Sequence, residues 1–123
     1  KNCPQAYWGT NVSGFPNLFT MIGPNTGLGH NSMIYMIESQ INYIVDYLKK
    51  AKQVNAKYLD VKKEAQNRFN EYIEQATKGT IWYSGCRSWY LTADGKNGTV
   101  WPDFTFVYRK KTKQIQLDDF EIV

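Results

Sequence analysis

Residues 23–32 read Gly23-Pro24-Asn25-Thr26-Gly27-Leu28-Gly29-His30-Asn31-Ser32, and a long helical pattern begins directly behind them. Glycines at 23, 27 and 29 and the proline at 24 make this stretch a loop. Ahead of it, 18–22 is a short apolar run that reads as a buried strand. Asn31 or Ser32 can cap the helix that follows. A helix start carries unpaired N–H groups and a partial positive charge, and glycines let a ligand come close to the backbone. The arrangement suits an anion or an electron-rich carbonyl. The same pattern also serves a connector that only caps a helix, and the local residues leave both readings open.

Two nucleotide-binding fingerprints fail here. Gly27-Leu28-Gly29 imitates the start of GxGxxG, but Ser32 stands where the third glycine belongs. The region about twenty positions on is still helix, so no acidic residue ends a second strand there. No Lys-Ser or Lys-Thr pair follows, which excludes a phosphate-binding P-loop. His30 is the only histidine. It is read as a hydrogen-bonding loop residue, since neither a catalytic triad nor a metal site can be assembled around it.

The helix that follows is expected from Ser32 to Lys50. Ile34, Ile37, Ile41, Ile44, Val45 and Leu48 recur at helical spacing and predict its core-facing stripe. Met33, Met36, Tyr43 and Tyr47 lie off that stripe and widen the apolar surface, so the helix needs cover on more than one side. A second helix is expected over 62–78, with Ala65, Phe69, Tyr72, Ile73 and Ala76 as its stripe and Gly79 as its stop. Ala6-Tyr7-Trp8, 88–91 and 120–123 read as short strands, 58–61 as a weak strand or a connector, and Gly14-Phe15-Pro16-Asn17 as a turn. After Trp101 the signals conflict: 105–108 favours a strand by propensity, while Pro102 suits the first turn of a helix.

The 123 residues suffice for one domain, and a 42% hydrophobic, 15% aromatic composition can build a core. The net charge of +4 does not demand an anionic partner. Arg109-Lys110-Lys111-Thr112-Lys113 reads as a solvated basic face with no alternating aromatic platform, so no nucleic-acid partner is expected. Asp118, Asp119 and Glu121 read as a solvated acidic edge. No run is apolar and long enough to span a membrane, and the N-terminal residues lack the apolar run behind a basic patch of a signal peptide. Because that residue is Lys1, the chain is expected to be cut from something longer. Cys3 and Cys86 have no metal-ligand spacing and are expected to be free thiols in a cytoplasmic setting, with a disulfide between them left open. Trp89 fills a core or stacks on a flat ring; composition favours the core.

Taken in order, 14–19, 23–32 and 37–41, then Cys86-Arg87-Ser88-Trp89-Tyr90, Asp94-Gly95-Lys96-Asn97 and Trp101-Pro102, resemble one family. It is the flavin-containing monooxygenases, in particular the Baeyer–Villiger branch. The first block is specific; the second helix matches only by type. The resemblance implies an α+β piece with two long helices and a few short strands. That piece is the C-terminal portion of a two-dinucleotide-domain flavoprotein and not a complete Rossmann unit. It implies a single unit over 1–123, with a strand–loop–helix part over 1–53 and a second part over 54–123. The parent would use FAD and NADPH to put one oxygen atom from O₂ into a small organic substrate. That substrate would be a ketone or, alternatively, a nitrogen or sulfur centre. Asn31, Ser32 and Met33 would face FAD, Trp89 would contact NADP, and Leu28, Gly29 and His30 would border the substrate cavity. No catalytic residue and no metal ligand is expected within the 123 residues, and the chain alone is expected to be inactive. The resemblance also implies a helix over 102–112. A small self-associating α/β interaction module is the reading from a different class. On either reading, the exposed apolar helix surface predicts a homo-oligomer of the isolated chain.

Overall fold

The computed structural model describes residues 4–27, 32–79 and 97–123. Expectations for 28–31 and 80–96, including Trp89 and the 88–91 strand, lie outside the described residues, as do those for Cys3 and Cys86. The elements run β1 (Asn11–Val12), β2 (Phe15–Phe19), α1 (Met33–Gln53), β3 (Leu59–Val61), α2 (Lys63–Lys78), α3 (Thr105–Thr112) and β4 (Phe120–Ile122). β1 and β2 form an antiparallel hairpin, and β3 pairs antiparallel with β4 in the register Leu59–Ile122, Asp60–Glu121, Val61–Phe120. Among the described residues, two small sheets, three α-helices and a 3-10 turn at Leu117–Asp119 make this a partial α+β domain. Among the described residues no helix is long and apolar enough to cross a membrane.

Over its described part, 23–27, the glycine-rich stretch is a loop, and α1 begins at Met33, close to where the sequence indicates. α2 and β4 also form where the patterns place them, and Gly79 caps α2. The conflict after Trp101 resolves as helix α3. Its strand-prone residues are overruled by packing: Tyr108 is fully buried, and its hydroxyl donates to the Trp8 carbonyl at 2.6 Å. Trp101 is buried in front of it, and its Nε1 donates to the Phe104 carbonyl.

Three local expectations change. The 14–17 turn is displaced: the turn lies at Ser13–Gly14, and Phe15 and Pro16 already belong to β2. β2 is an exposed two-stranded edge, with Phe15 and Leu18 facing outward, so the apolar run at 18–22 is no buried strand. Ala6-Tyr7-Trp8 is a turn held by a single Tyr7–Asn11 bridge.

The largest correction concerns which face of α1 enters the core. Met36, Ser39, Gln40, Tyr43 and Tyr47 are buried, whereas Ile34, Ile41, Val45 and Leu48 are exposed. At 3.6 residues per turn, that aliphatic ladder lies roughly opposite the Met36–Tyr43–Tyr47 line. Two apolar faces compete, and the buried one can also satisfy polar groups. Tyr43 Oη donates to Asn11 Oδ1 at 2.7 Å, and Tyr47 Oη bonds the Leu59 and Pro16 carbonyls. The tyrosines join Tyr7, Phe69, Trp101, Tyr108 and Phe120 in one core. Pairs such as Phe19–Tyr47 and Tyr7–Phe120 meet edge to face, a preferred aromatic geometry.

This inversion sets a direct test in the 123-residue chain. Met36→Ala should destabilise by roughly 2–5 kcal/mol, as for a buried cavity. Ile41→Ala should change stability by about 0.5 kcal/mol or less. Urea denaturation of both variants checks it, and equal losses would put the ladder back in the core.

Candidate functional site

The loop from Ile22 to Gly27 is anchored at both ends. At its entrance Ile22 adopts φ +50°, a left-handed conformation that costs a β-branched residue energy. Its N–H is held by Gln40 Oε1 at 2.9 Å. Gln40 is fully buried on α1, and its Nε2 donates to the Gly9 carbonyl and to Thr10 Oγ1. One amide thus fixes the loop entrance, the Tyr7–Asn11 turn and the helix relative to one another. Gly9 sits at φ +65°, and a Cβ there would come within 2.1 Å of Thr26 Cγ2. A Cβ on Gly23 would come within 2.3 Å of the Gly9 carbonyl oxygen. Backbone lies directly on backbone here, and only glycine permits it.

The loop exit is tied to a distant segment. Gly27 N–H donates to the Thr99 carbonyl, and Trp101 N–H returns a bond to the Gly27 carbonyl. Asn25 is buried, and its Nδ2 donates to the Asn97 carbonyl at 2.7 Å. Asn97 in turn donates to Thr77 Oγ1 on α2 and accepts the N–H groups of Thr99 and Val100. The loop therefore spans between α1, α2 and the 97–101 segment.

Of the expected site residues, Ser32 stands exposed at the cap of α1 and Met33, half-buried, is its first helical residue. The first turn carries no acidic side chain, so nothing in it neutralises the positive end of the helix dipole. Asn31, Leu28, Gly29, His30 and Trp89 lie outside the described residues. The geometry can present N–H donors to an electron-rich group; the described residues bring no acid–base pair to the loop.

Two polar residues acquire roles that their local sequence does not signal. Arg109, expected on a solvated basic face, turns inward to α1. Its Nε donates to Ser39 Oγ at 3.0 Å, and its Nη2 meets the Tyr35 carbonyl and Glu38 Oε2. The guanidinium carbon lies 3.4 Å from the centre of the Tyr35 ring. Asp119, expected on a solvated edge, is half-buried; it accepts the Tyr7 hydroxyl at 2.5 Å and pairs with Arg68. Nothing in local periodicity marks either, because each partner lies more than fifty residues away in sequence.

No protein-family model matches the chain. Solved structures do. The chain superposes on a steroid monooxygenase bound to NADP with a TM-score of 0.83 at 23% identity, covering 98% of this chain and 23% of that one. On a cyclohexanone monooxygenase from Rhodococcus sp. Phi1, bound to NADP⁺, the TM-score is 0.79 at 25% identity. That match covers 97% of this chain and 23% of the other. The fold is that of a monooxygenase segment. Sequence narrows the class: a Baeyer–Villiger monooxygenase from Pseudomonas aeruginosa is 49% identical over 121 residues, 97% of this chain. Another from Streptomyces coelicolor is 43% identical over 125 residues. In sequence and in fold the chain matches a segment of Baeyer–Villiger monooxygenases. It spans 23% and 24% of those two relatives' lengths.

The core tyrosines around the loop make the fold alkali-sensitive. Burial raises the hydroxyls of Tyr7, Tyr43 and Tyr108 above the usual phenol range, and Asp119 adds to the effect at Tyr7. Each is neutral in the fold and ionises near pH 10 when unfolded. Their stabilisation is complete below about pH 10 and is lost as pH rises toward the raised folded values. Stability by denaturation should therefore fall steeply above about pH 10, with much of the phenolate absorbance appearing only on unfolding. Full phenolate absorbance in a still-folded protein would contradict this.

Proposed function

We propose that this chain is the C-terminal part of the FAD-binding portion of an NADPH-dependent Baeyer–Villiger monooxygenase that oxygenates a ketone. The 49% identity over nearly the whole chain supports the family reading. The observation that carries the site is the start of α1: residues 22–27 ahead of it are pinned at both ends, and no carboxylate competes in its first turn. Asn31, Ser32 and Met33 would present N–H groups to the pyrimidine edge of the flavin and stabilise negative charge on its reduced form. Trp89 would contact NADP, and Leu28, Gly29 and His30 would border the substrate cavity. FAD, when bound, supplies the redox chemistry by which NADPH and O₂ deliver one oxygen atom; the protein orients and shields it.

One backbone donor can be removed while the helix is kept. Proline is tolerated at the first helical position, and Ser32 already holds the extended φ −73°, ψ 119° that precedes proline well. In the full-length protein, Met33→Pro should destabilise the reduced flavin by roughly 1.5–3 kcal/mol. That corresponds to a fall of about 30–65 mV in the two-electron potential. Met33→Ala, which keeps the N–H, is the control, and identical potentials for the two variants would sink the reading. The NADP role of Trp89 is tested by Trp89→Phe. Losing the indole donor should raise KM for NADPH about two- to twelve-fold with little change in Tm. An unchanged KM with a large drop in Tm would return Trp89 to the core.

The exposed ladder Ile34, Ile41, Val45 and Leu48 supports the view that further chain packs there in the parent. In the isolated 123-residue chain, which we expect to be inactive, a second copy would substitute. Light scattering should show a dimer or larger species; a monomer at high concentration would refute it.

A further inference from the structure

We propose that Arg109 is a positioning residue for the flavin-facing start of α1, an inference that rests on the function proposed above. A lone surface arginine in a basic run would ordinarily be solvated. Here one guanidinium engages three residues in the first turns of α1: Tyr35 through its carbonyl and ring, Glu38 and Ser39. Tyr35 lies two residues beyond Met33, so a shift of this turn moves the leading N–H groups with it.

The anchor behind Arg109 is rigid. α3 is fixed through buried Tyr108, whose hydroxyl reaches the Trp8 carbonyl; the hydroxyl of buried Thr112 bonds back to the Tyr108 carbonyl within the same helix. Trp8 is followed by Gly9, and Gly9 by Thr10; these are the two residues that Gln40 holds. Arg109, through Tyr35, Glu38 and Ser39, and Gln40, one to five residues further along, therefore tie the N-terminal part of α1 to one support. Gln40 sets the middle of the helix and the loop entrance, while Arg109 sets the pitch of the leading turns. The ion pair with Glu38 is exposed and contributes little by itself. What positions the helix is the fork to Ser39 Oγ and the Tyr35 carbonyl, together with the stacked Tyr35 ring. A lysine cannot reproduce that planar set.

The test uses the full-length holoenzyme with Arg109→Ala and Arg109→Lys, read by FAD dissociation, visible flavin spectrum and Tm. Arg109→Ala should weaken FAD binding roughly three-fold or more and change the flavin spectrum. Arg109→Lys should restore Tm more fully than it restores the spectrum. If Arg109→Ala lowers Tm but leaves FAD binding and the spectrum as in the unmodified protein, Arg109 is only a structural latch and the inference is overturned. Met33→Pro separates the two levels. A change with Met33→Pro beside a silent Arg109→Ala overturns this inference alone. A silent Met33→Pro overturns the functional reading, and this inference with it.

Discussion

At the middle of α1 the buried Gln40 amide meets the Ile22 N–H, the Gly9 carbonyl and Thr10 Oγ1. Each of these groups would lose a hydrogen bond in a dry interior if the amide were removed, and a buried unsatisfied group costs about 1–3 kcal/mol. Ile22 moreover holds a left-handed backbone that it would not adopt unaided. The strain is tolerated because its neighbours over-determine it. From this amide follow the place of the loop entrance, the close approach of Gly9 to Gly23, and the direction in which the helix leaves the loop.

The second constraint is aromatic. A core built on Tyr7, Tyr43, Tyr47 and Tyr108 brings hydroxyls inside, and each finds an acceptor: Asp119, Asn11, Leu59 and Trp8 respectively. Those bonds give the core directionality that an aliphatic core lacks. They select one face of α1 and leave its isoleucines outward. An exposed aliphatic ladder is not stable design for a free-standing helix, and it accords with a chain spanning about a quarter of its relatives' length. The same core carries α3, and α3 carries Arg109 back to the turns of α1 nearest the loop.

Much was legible in the residues themselves. Gly23 and Gly27 beside Pro24 mark a loop, and the apolar repeats behind Ser32 and Lys62 mark helices, because these signals arise within a few residues of chain. The capacity of the helix start to meet an electron-rich group was legible in part, as glycines ahead of a helix. Which side of α1 packs inward was not. Hydrophobic periodicity reports two apolar faces on this helix and cannot rank them, since the ranking depends on hydrogen-bond acceptors that Asn11, Pro16 and Leu59 supply from elsewhere.

The sequence by itself determined the two long helices, the family likeness and the absence of either nucleotide fingerprint, all of which depend on residue type and short spacing; α3 needed the packing of Tyr108. The tertiary structure alone decided the fate of the polar residues. Arg109 and Asp119 look like members of charged surface runs, and Gln40 like a polar interruption of a helix stripe. Their partners stand 18 to 112 residues away. A hydrogen bond needs its two atoms within about 3 Å, and only the folded chain brings such distant groups that close.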